Sequence, residues 1–208
     1  MKETDTYYHQ LHDAVTQWVD LTDRQWSMLS EILRVKSVGE QENILLPGDH
    51  VHELLFVCSG LLRFYYLSES GTESNKAFIA ENTFAGPLAA SVLGLPVIYG
   101  VQALESSILL VASYTDFVAL FNEHPIFDRL GRKLAEWLLI HKELRARHLL
   151  QQQAKDRYLG FIEQFPELVD RVPQYHIASY LGITDVSLSR LKRSLREEEA
   201  VTLLEIRD

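Results

Sequence analysis

A basic cluster stands out near the C-terminus, formed by Arg190, Lys192, Arg193 and Arg196. Within residues 174–196 this cluster is accompanied by one acidic residue, Asp185. A guanidinium group can form two parallel hydrogen bonds with guanine O6 and N7, and any Lys or Arg can pair with phosphate without reading sequence. The cluster therefore indicates a small nucleic-acid surface, bounded by the three glutamates at 197–199.

The residues around the cluster, QYHIASYLGITDVSLSRLKR at 174–193, have the spacing of two short helices joined by a tight turn. Gly182 stands where the first helix must end in a left-handed residue, and Thr184 can cap the second helix. Small Ala178 lies where the helices would cross, and inward apolar positions are Ile177, Leu181, Leu188 and Leu191. The pattern predicts a helix-turn-helix unit whose second helix enters the major groove. An ordinary helical hairpin is the alternative.

The predicted second helix assigns roles to individual side chains. Arg190 lies in its second turn, within reach of base edges, whereas Lys192 and Arg193 are expected to contact phosphates. The candidate DNA-binding residues are Gln174, Thr184, Asp185, Val186, Ser187, Ser189, Arg190, Lys192, Arg193 and Arg196.

Charge is distributed unevenly along the 208 residues. The net charge of −9 argues against broad, non-specific nucleic-acid binding. Residues 1–128 contain 6 basic and 17 acidic residues, a net charge of −11, whereas residues 129–208 contain 14 and 12, a net charge of +2.

The single cysteine, Cys58, excludes an intrachain disulfide and is expected in the core. No apolar run reaches transmembrane length and no signal peptide is apparent, so a cytoplasmic location is expected.

The elements before this unit divide into helices and strands. A helical face of Leu11, Val15, Trp18 and Val19 comes first, followed by a capping box at Thr22–Gln25 that opens a helix to about Leu33. Short apolar runs then alternate with turns over 34–113, which predicts a double-stranded β-helix, or jelly roll. The segment 84–98 breaks this rhythm and predicts a short helix and loop.

A long helix is predicted from Pro125 to about Gln151. A heptad seam on it consists of Leu130, Leu134, Trp137, His141, Leu144 and His148. We interpret this seam as a homodimer interface, and packing on the chain's own barrel is the alternative. The fold class is α+β, with a sensor domain at 1–124, a dimerisation helix at 125–151 and a DNA-binding domain at 152–208.

Barrel, long helix and C-terminal helix-turn-helix, in that order, resemble the Crp/Fnr family of bacterial transcription regulators. The resemblance rests on NILLPGD, ELLFVCSGLLRFYYLSESG and IASYLGITDVSLSRLKR. It implies a cyclic-nucleotide-binding-like domain, a homodimer on a palindromic operator, and RNA polymerase as a partner. The wing hairpin that usually follows the unit is expected to be short or missing.

The chain departs from the family at the nucleotide site. Members that bind cyclic nucleotides carry a Gly-Glu-Leu element and a later Arg, whereas this chain has Gly86-Pro87-Leu88 and no basic residue at 96–100. We therefore expect no response to cyclic AMP, no cofactor, and an effector that is unknown or absent. The candidate effector-pocket residues are Arg63, Phe84, Gly86, Leu88, Ala89 and Tyr99. Val186 also replaces a Glu that reads the operator in many members.

Two other classes of function stay open. His50 and His52 would share one face of a strand, as in a metal-dependent cupin enzyme, but the Glu expected after such a pair is absent. They are more simply interpreted as loop or strand-edge residues beside Pro47-Gly48-Asp49. The second alternative is a ligand-binding module whose C-terminal helices contact a protein, which the overall acidity favours. No nucleophile elbow, P-loop or dinucleotide fingerprint is present, so we expect no enzyme, no catalytic residue and no metal.

Overall fold

The computed structural model describes residues 3–205, and the side chains of residues 5–198. The chain divides into two compact units. The first contains Met1–Thr72 and Lys76–His141, and the second contains Glu73–Asn75 and Lys142–Asp208. The division falls within the long helix, and the three-segment organisation expected from the sequence stays a prediction.

The N-terminal part opens with two helices, α1 (Glu3–Thr16) and α2 (Asp23–Glu31). The predicted capping box is confirmed, because Thr22 and Gln25 exchange side-chain to backbone hydrogen bonds. The predicted end of α2 at Leu33 is wrong by two residues. Leu33 begins the first strand, where it pairs with Ala112, because its backbone groups are satisfied by a neighbouring strand instead of a further helical turn.

Within residues 3–205, eight strands follow in two antiparallel sheets. They are β1 (Leu33–Val38), β2 (Asn43–Leu45), β3 (Glu53–Ser59), β4 (Leu62–Leu67), β5 (Glu73–Ile79), β6 (Thr83–Ala85), β7 (Gly100–Ala103) and β8 (Ser107–Ser113). One sheet has the order β1-β8-β3-β6 and the other β2-β7-β4-β5. The predicted helix inside 84–98 is present as α3 (Leu88–Leu93). The sheets form a β-sandwich flanked by helices, which confirms the α+β class.

The side chains of β3 alternate between two hydrophobic cores, one on each face of its sheet. Leu55 and Val57 are buried between the two sheets, whereas Phe56 and Cys58 are buried on the opposite face. Successive side chains of a strand point to opposite faces, so both faces of this sheet must be covered. The outer face is covered by side chains of α1, α2, α4 (Tyr114–Glu123) and α5 (Pro125–Gln151).

The C-terminal part is helical. It contains α6 (Ala154–Gln164), a 3₁₀ turn (Pro166–Leu168), α7 (Gln174–Leu181) and α8 (Asp185–Glu205). The end of α5 at Gln151 agrees with the predicted end of the long helix, and α6 begins at Ala154. After Arg196 the chain continues as helix to Glu205, so no wing hairpin occurs within the part of the chain that the structure describes.

Candidate nucleic-acid interface and effector segment

The turn between α7 and α8 has the predicted geometry. Gly182 has a φ of 69°, in the left-handed region that glycine adopts without steric cost, and its N–H caps the end of α7. The Thr184 hydroxyl accepts a 3.1 Å hydrogen bond from the backbone N–H of Ser187 and so caps α8. Two local signals in the sequence therefore fix the direction in which α8 leaves the turn.

Apolar side chains hold the two helices together. Ile177, Ala178, Leu181 and Leu188 are buried, and Leu181 and Leu188 are fully so. Leu191 is half-buried. The inward positions predicted from spacing are therefore the ones that pack, which leaves the opposite side of α8 free for other contacts.

The opposite side of α8 is an exposed stripe, which we call the outer stripe: Val186, Ser189, Arg190 and Arg193. Their spacing of i, i+3, i+4 and i+7 places them on one helix face. Arg193 Nε lies 3.6 Å from a carboxylate oxygen of Glu197, one turn further along. The outer stripe is therefore mainly polar and cationic, with one aliphatic member.

The other predicted DNA-binding residues surround the outer stripe. Thr184, Asp185, Ser187 and Arg196 are exposed, while Gln174 and Lys192 are half-buried. The Gln174 side-chain amide donates a 2.9 Å hydrogen bond to Asp185, so it joins the starts of α7 and α8. This amide is therefore engaged within the unit through one of its two N–H groups, and the role of Gln174 on DNA stays a prediction. The remaining roles on DNA stay predictions.

Sequence reasoning missed two arginines that secure α7. Arg145 donates to the carbonyl oxygen of Tyr180 and stacks over its ring at 3.6 Å, and Arg157 Nε donates to Leu181 O at 2.8 Å. Cationic side chains at a helix C-terminus satisfy carbonyls that have no partner within the helix. Burial lowers the pKa of Arg145. No local signal could identify this pair, because their carbonyl partners lie 24 and 35 residues away.

Three of the predicted effector-pocket residues lie near one another at α3. The Tyr99 hydroxyl donates a 3.1 Å hydrogen bond to Gly86 O, and Leu88 begins the helix. Gly86 has a φ of 145°, and a Cβ there would lie 2.7 Å from Glu53 O, so only glycine fits. Burial raises the pKa of Tyr99 far above its ordinary value. Ala89, on α3, is exposed.

The cation beside Tyr99 is Lys76. Its Nζ lies 3.6 Å from the centroid of the Tyr99 ring, 5.7 Å from that of Tyr66 and 5.8 Å from that of Phe64. An ammonium group over aromatic faces is stabilised by the ring quadrupoles. Lys76 and its three rings, which we call the lysine cage, were not predicted as a group, because they come from β4, β5 and the segment before β7.

Two predicted pocket residues lie elsewhere. Arg63 is buried on the face of β4 opposite to Phe64, where its Nε donates to Gln102 at 2.7 Å and its guanidinium stacks on Tyr65. The period of two along a strand puts it there. Phe84 faces the helices outside the sandwich and stacks on Trp18 at 4.9 Å. Neither residue belongs with Tyr99 in one pocket, so these two assignments are wrong.

The long helix α5 begins at Pro125 as predicted, but two of the six residues of its heptad seam are buried within the chain. Leu130 and Leu134 are buried and line an apolar cavity of about 50 Å³ together with Trp18 and Phe84. Their assignment to a seam between two chains is corrected accordingly, because their apolar surface is already covered by their own chain.

The other seam residues are less buried. Trp137 is half-buried, with its ring 6.4 Å from that of Trp18 and 4.3 Å from that of His141. His141 and Leu144 are exposed and His148 is half-buried. Further apolar side chains exposed on α5 are Leu139, Ile140, Leu149 and Leu150. These positions were outside the predicted seam.

The histidine pair considered for metal binding does not form a cluster with acids. His50 is exposed and His52 is half-buried. Among the described residues, no group of three or more His, Cys, Asp or Glu side chains is placed to hold a metal ion. Within the same residues, no helix has the length and hydropathy needed to span a bilayer.

The chain is similar to known proteins in sequence and in fold. Residues 35–124 match the family model of the cyclic nucleotide-binding domain. The regulatory protein HlyX of Actinobacillus pleuropneumoniae is 22% identical over 196 residues, which cover 88% of this chain and 80% of HlyX. FixK2 of Bradyrhizobium japonicum has a TM-score of 0.70 at 17% identity, over 81% of this chain and 86% of FixK2.

A Crp/Fnr-family protein of Eubacterium rectale has a TM-score of 0.68 at 16% identity, over 89% of this chain and 88% of its own. The predicted resemblance is therefore confirmed: the chain carries a cyclic nucleotide-binding domain and has the fold of the Crp/Fnr regulators. Its similarity to these proteins is one of fold, and the relative HlyX is described as a regulatory protein.

Proposed function

We propose that this chain is a homodimeric, sequence-specific DNA-binding regulator of transcription, without enzymatic activity, that acts in the cytoplasm. The observation that carries the proposal is the outer stripe of α8, whose residues are exposed while Leu188 on the other side is fully buried. A helix held firmly on one face and open on the other, with cations at one-turn spacing, suits insertion into the major groove.

Within the outer stripe, Arg190 is the base-reading residue. It lies in the second turn of α8, where the helix approaches base edges, and its guanidinium matches guanine O6 and N7. Arg193, Arg196 and Lys192 lie further along and pair with phosphates, which position the helix without selecting sequence. A helix-turn-helix of α7 and α8 would present these groups in this order.

The operator is expected to be palindromic because two copies of the chain pair through α5. Support comes from the exposed apolar side chains of this helix, Leu139, Ile140 and Leu144, whose exposure to water is unfavourable in a monomer. Burying them against a second copy would place two α8 helices about a two-fold axis. RNA polymerase is the downstream partner that the family implies.

The sandwich domain, a jelly roll in this proposal, acts without cyclic AMP. The segment that would bind the ribose carries Pro87, which has no backbone N–H to donate. The cation nearest to Tyr99 is already enclosed by the three rings of the lysine cage. A cyclic phosphate would have to draw Lys76 away from those rings, so any effector is a different small molecule.

Selection of bound sites from random DNA tests the proposal. We expect a palindrome with half-site centres about 34 Å apart. Arg190→Ala should cost about 1–3 kcal/mol and relax one position in each half-site. Arg24→Ala is the matched control, because it removes the same charge from an exposed position of α2. Asymmetric sites, or no enrichment at all, would overturn the proposal.

A second candidate function is a module whose C-terminal helices bind a protein. The net charge of −9 and the ion pair that engages Arg193 favour it. The salt dependence of DNA affinity separates the two functions. Phosphate contacts release counterions, so the affinity of a DNA-binding protein falls steeply and linearly on logarithmic axes as salt rises. A flat dependence would favour the protein-binding module.

A further inference from the structure

Val186 is the aliphatic member of the outer stripe, and more than half of its surface is exposed. Val186 is the second residue of α8, and its exposed fraction is 59%. The packing of this part of α8 on α7 is made by Leu188, which is fully buried. Valine is also a weaker helix former than most residues. An exposed valine at this point therefore contributes little to the stability of α8.

We infer that Val186 reads the C5-methyl group of thymine in each half-site. This inference rests on the proposed function of α8. Among the edges that base pairs present in the major groove, the thymine methyl is the apolar feature, and the other groups are hydrogen-bond donors and acceptors. A branched aliphatic side chain pairs favourably with that methyl and offers no hydrogen bond to cytosine or adenine at the same place.

The polar groups beside Val186 are already engaged with one another. Asp185 accepts a hydrogen bond from Gln174, and the hydroxyls of Thr184 and Ser187 lie 2.8 Å apart. These contacts fix the first turn of α8 before DNA arrives. Val186 therefore approaches the groove from a helix start whose conformation is already fixed. Because its side chain is short, it can contact a base only where the backbone of α8 lies close to the floor of the groove.

The spacing between Val186 and Arg190 predicts how far the thymine lies from the guanine that Arg190 reads. Val186 and Arg190 are four residues apart, which is about 6 Å along a helix axis. Successive bases are about 3.4 Å apart along one strand. The thymine should therefore lie within about two base pairs of the guanine that Arg190 reads, in both half-sites of the palindrome.

Replacing that thymine by uracil in the selected operator tests the contact, since uracil differs only by the missing methyl. We expect the affinity of the full-length protein to fall roughly fourfold per half-site, which is the effect of losing one buried methyl. Val186→Ala, which keeps only the Cβ of the aliphatic side chain, should show a smaller preference for the thymine operator. Val92→Ala is the matched control, because Val92 is 61% exposed on α3 and should leave the thymine preference intact.

The outcomes distinguish this inference from the proposed function. If the protein selects a guanine-containing palindrome but binds the uracil operator equally well, Val186 does not read thymine while the proposed function stands. If Val186→Ala retains the full preference for thymine, another residue reads the methyl and the inference is wrong. If the protein selects no sequence, the proposed function and this inference both fail. Equal thermal stability of Val186→Ala and the parent protein shows that folding is intact.

Discussion

The Nε of Arg157, in α6, donates a 2.8 Å hydrogen bond to the carbonyl oxygen of Leu181, the last residue of α7. The same guanidinium donates to Gln152 O at 2.5 Å. One side chain thus ties the joint before α6 to the end of α7. Because α7 ends at the turn that aims α8, this bond contributes to the position of the outer stripe.

Removing that bond should loosen α7. Arg157→Ala leaves carbonyl oxygens without their donor, which costs on the order of 1–3 kcal/mol when the group stays buried. We expect amide hydrogen exchange in residues 174–181 to accelerate at least tenfold. Arg147→Ala, at an exposed position of α5, serves as the control and should leave this exchange unchanged. Unaltered exchange in Arg157→Ala would show that Arg145 alone secures the helix.

Glu197 should restrain DNA binding through its ion pair with Arg193. Glu197→Gln releases the guanidinium and removes a negative charge that repels phosphate. We expect several-fold higher DNA affinity and a salt slope steeper by about one phosphate contact per half-site. Glu163→Gln on α6 controls for the change in net charge. A lower affinity of Glu197→Gln would mean that the pair positions Arg193 for DNA instead of restraining it.

Dimerisation should depend on the exposed apolar side chains of α5. A double change, Ile140→Glu with Leu144→Glu, places charges where a second copy would bury apolar surface, so the dimer should dissociate. Light scattering should report the mass of one chain. Val35→Glu with Leu46→Glu, at exposed sandwich positions, is the control and should stay dimeric. An unchanged mass for the α5 variant would show that the pairing surface lies elsewhere.

Cyclic nucleotides should not bind. Pro87 offers no backbone donor, and Lys76 is held 3.6 Å from the Tyr99 ring centroid. Calorimetry with cyclic AMP and cyclic GMP at about millimolar concentration should show no saturable heat, and operator affinity should be the same with and without them. If binding is seen, Lys76→Met identifies the anchor, because loss of binding in that variant would assign the phosphate to the lysine cage.

Cys58 should be inert in the folded protein. Burial raises the pKa of its thiol from 9.0 to about 11, so roughly a thousandth is thiolate at pH 8. Iodoacetamide should label the native protein far more slowly than the protein in urea. Rapid labelling of the native protein would contradict the buried position.

The same shift links Cys58 to alkaline stability. The folded state holds the thiol proton more tightly than the unfolded chain, so stability is present below pH 9 and falls as pH rises from about 9 to 11. We expect the free energy of unfolding to decline less over this range in Cys58→Ala than in the parent protein. An equal decline would assign the alkaline sensitivity to other groups.

The sequence by itself determined the features that depend on near neighbours. The capping box at Thr22 and the left-handed residue at Gly182 were predicted because each signal involves side chains within a few positions of the backbone groups they satisfy. Alternating apolar runs likewise gave the sandwich, and the spacing of Leu181 and Leu188 gave the packed side of α7 and α8.

Only the tertiary structure decided which faces meet. Leu130 and Leu134 have the spacing of a helix–helix interface between two chains, but the same spacing suits packing beside α1 of their own chain. In the structure both side chains are buried within the chain. Arg63 was the cation predicted in the pocket, but strand alternation placed it on the opposite face of β4, and the cation beside Tyr99 is Lys76. Arg157 gave no local signal, because its carbonyl partner at Leu181 depends on how two separate helices pack, which no short stretch of residues encodes.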